Sequence, residues 1–272
     1  GIEPKAQDSE RPKVRASDVV FMYSSHTPSQ YDTYQGTIVG WGGRPGSRSE
    51  ESVRRFKERV EEAHKRNMKY CASVDFLVDF AGFIDYRPDS FMETVCRDLD
   101  GNPLRVPWLW DHEHKGHPAY WFCTNNPDYQ EYLRDQAQRA CLASIDGLHI
   151  DDYSGSSACS AYNGGCFCPD CMKGFRQYLR SEVSKEELRR KGIEDVETFD
   201  YAEYLKKHGV TPAQYKNEHW KVPLIEQFQR YQNIEMKKRI LDIYRTAETK
   251  EGKMLLRSIN SSASSPRTLV PS

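Results

Sequence analysis

No run of apolar residues in this sequence approaches the roughly 18 that a membrane-spanning helix needs, which excludes a helical anchor within it and points to a soluble chain. Charge of one sign is not in excess either. Lys and Arg number 39 against 40 Asp and Glu, so the electrostatic footprint of a general nucleic-acid binder is missing. There is no internal repeat, no low-complexity tract, no initiator Met and no signal peptide. Residues 1–17 are instead a polar, charged lead-in, as expected for a processed secreted chain or for a fragment, and a secreted or periplasmic location is preferred to a cytoplasmic one. What remains is an ordinary globular composition of 272 residues, 38% apolar and 29% charged, enough for one large domain or two small ones.

Apolar periodicity predicts alternating elements. Strands are expected at 18–24, 69–76, 119–123, 147–151 and 253–259, each a short apolar run bounded by polar sequence. Between them, helical spacing marks 50–66, with Val53, Phe56, Val60 and Ala63 on one face after Ser49 as a cap, and 127–143, with Tyr129, Leu133, Ala137 and Ala140 on one face. A short helix at 90–97 and helices at 170–183, 184–191, 197–207 and 222–248 complete the pattern, and residues 36–46 form a Gly-rich loop. Strand-helix alternation favours parallel strands. No Gly-rich phosphate turn follows the first strand, so the order fits the first five or so units of a (β/α)8 barrel better than a doubly wound sheet. Residues 18–272 then form the N-terminal part of a catalytic barrel. Its fifth-strand edge, Met254 to Ile259, is expected to be covered by a further chain segment or by a homo-oligomeric partner.

The chemistry concentrates around the fourth strand. Asp151 and Asp152 end it, where barrel enzymes keep their reacting groups, and alternation lets only one of two adjacent residues face the axis fully unless a bulge turns both inward. Cys166, Cys168 and Cys171 follow with C-x-C-x2-C spacing. A C-x-C pair is too short to bridge with itself, so the cluster suits a tetrahedral Zn2+ with a fourth ligand from elsewhere, Cys159 being one candidate. Asp75 ends the second expected strand and can hold sugar hydroxyls. The 16 Tyr, 11 Phe and 5 Trp exceed what a core needs, and Trp41, Trp108, Trp110 and Trp121 fall in loop-like sequence, as rings that pack on sugar faces do. His26 lies just past the first strand, and His112, His114 and His117 crowd one loop as solvated or sugar-contacting residues. His149, on the same face as Asp151, reads as hydrogen-bonded barrel lining.

The stretch IDGLHIDDYSGSSACSAYNGGCFCPDCMKGFRQYL, from Ile145 to Leu179, resembles the fourth strand and following loop of glycoside hydrolase family 42 β-galactosidases. In that family Asp-Asn-Glu-Tyr-Gly leads into C-x-C-x2-C and then F-R-x-W-L. Here the matching residues are Asp151 to Gly155, the three cysteines, and Phe175 to Leu179. Upstream, Tyr120 to Tyr129 (YWFCTNNPDY) is similar to the family's H-Y-C-P-N-x-P-x-Y. The resemblance, over about 60 residues, implies Cys123 as the fourth thiolate of a structural Zn2+ that ties the loop 154–171 to the preceding one. It also implies hydrolysis of a galactoside-like or other glycan, with carbohydrate as the partner; charge balance and the lack of long apolar runs argue against nucleic acid and membrane as partners. One departure stands out, since Tyr153 follows Asp152 where the family has its acid/base Glu. By analogy with α-galactosidase barrels, whose nucleophile is an Asp ending the fourth strand, Asp151 or Asp152 takes the catalytic role, with Tyr153 at the substrate and the second carboxylate beyond residue 272. The alternative is a sugar-binding relative that has lost catalysis.

Overall fold

The computed structural model describes residues 11–22, 26–76, 78–151 and 163–260. In chain order the strands are β1 (Val20–Phe21), β2 (Ile38–Val39), β3 (Lys69–Asp75), β4 (Glu113–His114), β5 (His117–Pro118), β6 (Gly147–Asp151) and β7 (Leu256–Ile259). The helices are α1 (Pro28–Tyr34), α2 (Glu50–His64), α3 (Phe80–Tyr86), α4 (Pro127–Ala140), α5 (Pro169–Glu182), α6 (Lys185–Arg190), α7 (Tyr201–Lys207), α8 (Pro212–Glu218) and α9 (Ile225–Glu251). The chain divides into two compact units. The first holds residues up to 76 with 133–151 and 240–260, the second 77–132 with 152–239, and α4 and α9 contribute to both.

The first unit is a five-stranded sheet in the order β1-β2-β3-β6-β7, every pair parallel. Chain order and spatial order coincide. A doubly wound sheet reverses direction at a switch point, whereas a barrel adds each strand on the same side, so this is a partial TIM-barrel-like arrangement. Register sets what each face carries. Cys71, Gly147 and Leu256 are paired in one row, Ser73, His149 and Ser258 in the next, and Asp75 with Asp151 in the last. Because side chains alternate, these rows share one face. At the lower end of this face Ile38, Cys71 and Leu256 pack together with Val20. On the opposite face Tyr70, Ala72, Val74, Leu148 and Ile150 are buried, and Tyr70 meets the edge of Phe56 from α2 at 5.8 Å. The α2 helix forms as its sequence suggests: the Ser49 side chain accepts from the Ser52 N–H, Glu50 and Glu51 favour the N-terminal dipole, and Phe56, Val60 and Ala63 are buried.

Two strand expectations are corrected. Residues 119–123 do not join the sheet; they belong to the second unit and make isolated antiparallel bridges, Phe122 with Val95 and Tyr120 with Arg105. Ile38–Val39, inside the expected Gly-rich loop, does join it. A two-residue strand leaves no periodic signature, and its neighbours are glycines because the chain runs against side chains of β1: a Cβ on Gly36 would lie 2.6 Å from the Phe21 ring and one on Gly40 2.7 Å from Val20. One omission offsets one excess, so 147–151 still stands fourth. The helix expected at 90–97 is a 3-10 turn at Phe91–Thr94, and the His-rich loop contains the hairpin β4–β5, turned by Lys115 and Gly116 at φ 51° and 76°.

The second unit has an aromatic interior. Phe83 of α3 packs edge-on against Phe122 and Tyr129, and Phe175 of α5 packs with Phe228, Tyr201 and Tyr231. Among the described residues no helix is long and apolar enough to cross a membrane.

Gly147 tests the sheet packing. A Cβ there would sit 2.4 Å from Cys71 Sγ and 2.8 Å from the Leu256 carbonyl oxygen, so Gly147→Ala is expected to cost about 1–3 kcal/mol in urea unfolding. An unchanged midpoint and slope would mean that β3, β6 and β7 are not packed in this register.

Candidate functional site

The sheet rows become more polar toward the C-terminal strand ends. Asp75 and Asp151 are paired in register on strands about 4.8 Å apart, so their carboxylates leave the same face side by side. Asp151 is 5% exposed, and its carbonyl accepts from the Phe76 N–H at 3.1 Å. Asp75 is fixed twice. The buried Gln136 amide of α4 accepts from its N–H at 3.0 Å and donates to its carbonyl at 3.2 Å, while Arg44, from the loop after β2, reaches its Oδ2 through Nη1 and Nη2 at 3.2 and 3.3 Å. Beneath lies His149, fully buried, with Nδ1 2.8 Å from Ser258 Oγ and its ring 5.2 Å from that of Trp41. Burial pushes its pKa down to about 4, so the ring is neutral at neutral pH. It is hydrogen-bonded lining, as its position in the strand implies.

The remaining sequence candidates separate. His26 lies in the first unit edge-on to Phe21 at 4.8 Å, its pKa lowered by desolvation. In the second unit Trp110 and Trp108 are 70% and 44% exposed. Trp121 is not. It is fully buried, edge-on to Trp108 at 5.3 Å, which makes it packing rather than a platform for a sugar. His112 is exposed and its Nδ1 lies 2.9 Å from the neighbouring Asp111, while His114 Nε2 lies 2.8 Å from Asp85, so both histidines of the H-x-H run are hydrogen-bonded to carboxylates in a solvated loop. Asp152, Tyr153 and Cys159 lie outside the described residues. Sequence reasoning passed over Arg44, Gln136 and Ser258, because only the three-dimensional register shows which loop arginine, helix amide or strand serine meets the carboxylate and histidine rows.

The second unit brings Cys123, Cys166, Cys168 and Cys171 together. All four are buried, with their sulfurs within 4.8 Å of one another. Four thiolates around a tetrahedral Zn2+ stand about 3.8 Å apart, from Zn–S bonds of about 2.3 Å, so the donor set fits that ion in spacing and chemistry. The surroundings treat the sulfurs as acceptors. Cys168 caps α5 by accepting from the Cys171 N–H at 3.5 Å, Cys166 accepts from the Cys168 N–H at 3.3 Å, Cys123 from the Asn125 N–H at 3.4 Å, and Cys171 from Asn125 Nδ2 at 3.3 Å. Contact with Cys166 raises the Cys123 pKa, but contacts with Cys168 and Cys171 outweigh it and lower the group to about 7. Cys168 and Cys171 are pushed up by their contacts with Cys123. Cys71 and Cys141, away from the cluster, are raised by burial to about 12 and are inert thiols.

No family model matches the sequence. Over 211 residues the chain is 26% identical to an alpha-agarase of Thalassotalea agarivorans, covering 75% of this chain and 14% of that protein. Over 208 residues it is 25% identical to an alpha-agarase of Alteromonas agarilytica, covering 74% and 14%. The chain thus spans 14% of the length of the curated relatives it matches. Among solved structures, the cold-adapted β-galactosidase of Rahnella sp. R3 superposes with a TM-score of 0.54 at 13% identity, over 86% of this chain and 32% of that one. The β-galactosidase of Halorubrum lacusprofundi gives 0.54 at 15% identity, over 90% and 36%. The fold is shared with part of these β-galactosidases.

The buried histidine makes a pH prediction. An unfolded His takes up a proton near pH 6.5, but the folded His149 refuses it until about pH 4. Between these values the unfolded state binds more protons, so this contribution to stability is present above about 6.5 and is lost as pH falls toward 4, on the order of 3 kcal/mol. His149→Gln is expected to flatten that part of the stability profile, measured by urea unfolding at stepped pH; an unaltered slope would show that His149 is not buried neutral.

Proposed function

We propose that the chain is the N-terminal part of a glycoside hydrolase barrel acting on a galactan of the agar type, with the strand-end row as its reaction centre. The observation that carries this is the register of Asp75 and Asp151 at the C-terminal ends of two adjacent parallel strands, above a neutral polar layer. Similarity to two alpha-agarases supplies the substrate class. In such chemistry one carboxyl group protonates the departing glycosidic oxygen as the bond to the anomeric carbon breaks, a second carboxylate stabilises or attacks the oxocarbenium-like centre, and water completes the exchange. Asp151, with Asp152 beside it, supplies the reacting carboxylate, and the second comes from sequence beyond residue 272. Asp75, oriented by Arg44 and Gln136, holds sugar hydroxyls. At least one of Asp151→Asn and Asp152→Asn is expected to lower turnover of agarose oligosaccharides about a hundredfold or more with little change in stability. Turnover unchanged in both would end this assignment. A non-catalytic sugar-binding reading is kept open by Tyr153, which follows Asp152 where the resembled family has Glu; glycan binding with no release of reducing ends from wild-type protein would select it.

The four cysteines take a structural role. Cys123, Cys166, Cys168 and Cys171 would hold one Zn2+, which, bound by four thiolates, supplies cross-linking and no open position for substrate. Metal analysis is expected to give about one zinc per chain. Cys168→Ser should weaken metal retention and lower stability. Less than a tenth of an ion, with all thiols oxidised, would rule the centre out. The outer edge of β7, which ends the sheet among the described residues, would be taken up by further chain or by a second copy, since an open parallel edge invites pairing.

A further inference from the structure

We infer that residues 11–19 are a strap across the N-terminal ends of the strands, and that one proteolytic cut inside it loosens β7. Within the first unit the two ends of this segment are fixed at opposite sides of the sheet. At one end the Val19 N–H donates to Thr37 Oγ1 at 2.9 Å, the Thr37 hydroxyl donates to Asp18 Oδ1 at 2.8 Å, and the Thr37 N–H donates to the Val19 carbonyl at 2.9 Å, just ahead of β1 and β2. At the other end Arg11 reaches β7. Its Nη1 donates to Glu248 Oε1 at 2.7 Å and to the Leu255 carbonyl at 2.9 Å, and its Nη2 donates to Glu248 Oε2 at 3.3 Å, so one guanidinium fork holds α9 and the residue before β7 together. Three strand steps of about 4.8 Å, roughly 14 Å in all, separate β2 from β7, and eight residues extend to roughly 26 Å. The segment therefore spans the N-terminal ends of β3 and β6 with length to spare.

The Arg11 anchor matters to β7 because that strand has little else beside it. Among the described residues it pairs with β6 alone. The Glu248 side chain, 14% exposed, also accepts from Arg257 of β7 through Nε at 2.8 Å, and the Arg257 guanidinium lies 4.8 Å over the Tyr244 ring. Burial raises the Glu248 pKa, but hydrogen bonds from Arg11 and Arg257 outweigh it and hold the group below its ordinary value. Removing Arg11 takes a charged donor from this carboxylate and a donor from the Leu255 carbonyl, next to the strand that carries Ser258, the partner of His149. The middle of the strap is open to solvent. Residues 13–17 are all exposed, Val14 at 55%, and both Lys13 and Arg15 lie there. A cut after either one leaves Arg11 on a short peptide with no covalent link to the sheet, and the high effective concentration that kept it in place is lost.

The test is brief trypsin treatment of the full chain, with cleavage sites read by mass spectrometry and amide hydrogen exchange followed at Leu256–Ile259 relative to β3. Early cleavage after Lys13 or Arg15 is expected, with loss of the N-terminal peptide and exchange in β7 about tenfold faster. Uncut Arg11→Gln should show the same acceleration. Cleavage after Lys5 alone leaves Arg11 attached and should change nothing. Arg66→Gln, which removes a surface pair with Asp32, is the control and should keep wild-type exchange in β7. Unchanged β7 exchange in both the cut chain and Arg11→Gln would overturn the inference, as would a strap that trypsin spares while cutting elsewhere. None of these readouts involves glycan turnover.

Discussion

The hydrogen-bonded register of β3 against β6 is the constraint on which the candidate reaction centre depends. Side chains alternate with a period of two, so pairing Asp75 with Asp151 automatically pairs Ser73 with His149 and Cys71 with Gly147 on the same face. A slip of β6 by one residue against β3 would send Asp151 to the helix side and bring Ile150 inward, separating the two carboxylates. That slip is blocked by packing. Tyr70 donates its hydroxyl to the Gly42 carbonyl from the buried helix-facing side, and Gly147 is the residue whose missing side chain lets Cys71 and Leu256 close over it.

Local chemistry then refines what register places. Gln136 satisfies the backbone of Asp75 at the point where the ladder ends, replacing hydrogen bonds the strand no longer makes. Arg44 arrives from a loop whose path is set further back by Arg139, which donates to the carbonyls of Pro45 and Gly46 at 2.8 and 3.0 Å. The second unit uses aromatic rings for its interior and brings four buried sulfurs together.

Much of this was legible in the sequence, for identifiable reasons. β3, β6 and β7 are long enough to show bounded apolar runs, and α2, α4 and α5 carry a clear helical stripe, so their positions follow from periodicity. Cys123 lies with the later three cysteines, their sulfurs within 4.8 Å of one another. What escaped was short or set by contacts distant in sequence. Two-residue strands such as Ile38–Val39 have no period, and the apolar run around Trp121 looks like a strand although its burial comes from packing in the second unit. Exposure of individual tryptophans is likewise a property of neighbours, which is why Trp110 and Trp121 read alike in sequence and differ completely in the fold.

The neutral state of His149 bears on the electrostatics above it. The strand-end row formally carries two carboxylates, Asp75 and Asp151, against one guanidinium, Arg44, leaving one net negative charge among the described residues. Positive charge develops on the sugar ring as a glycosidic bond breaks, and a fixed negative field close by stabilises it most where water is excluded. A protonated imidazole one row below would cancel that field. Burial, the Ser258 hydrogen bond and the Trp41 ring together keep the histidine uncharged. A polar side chain thus lines the sheet without adding positive charge beneath Asp75 and Asp151.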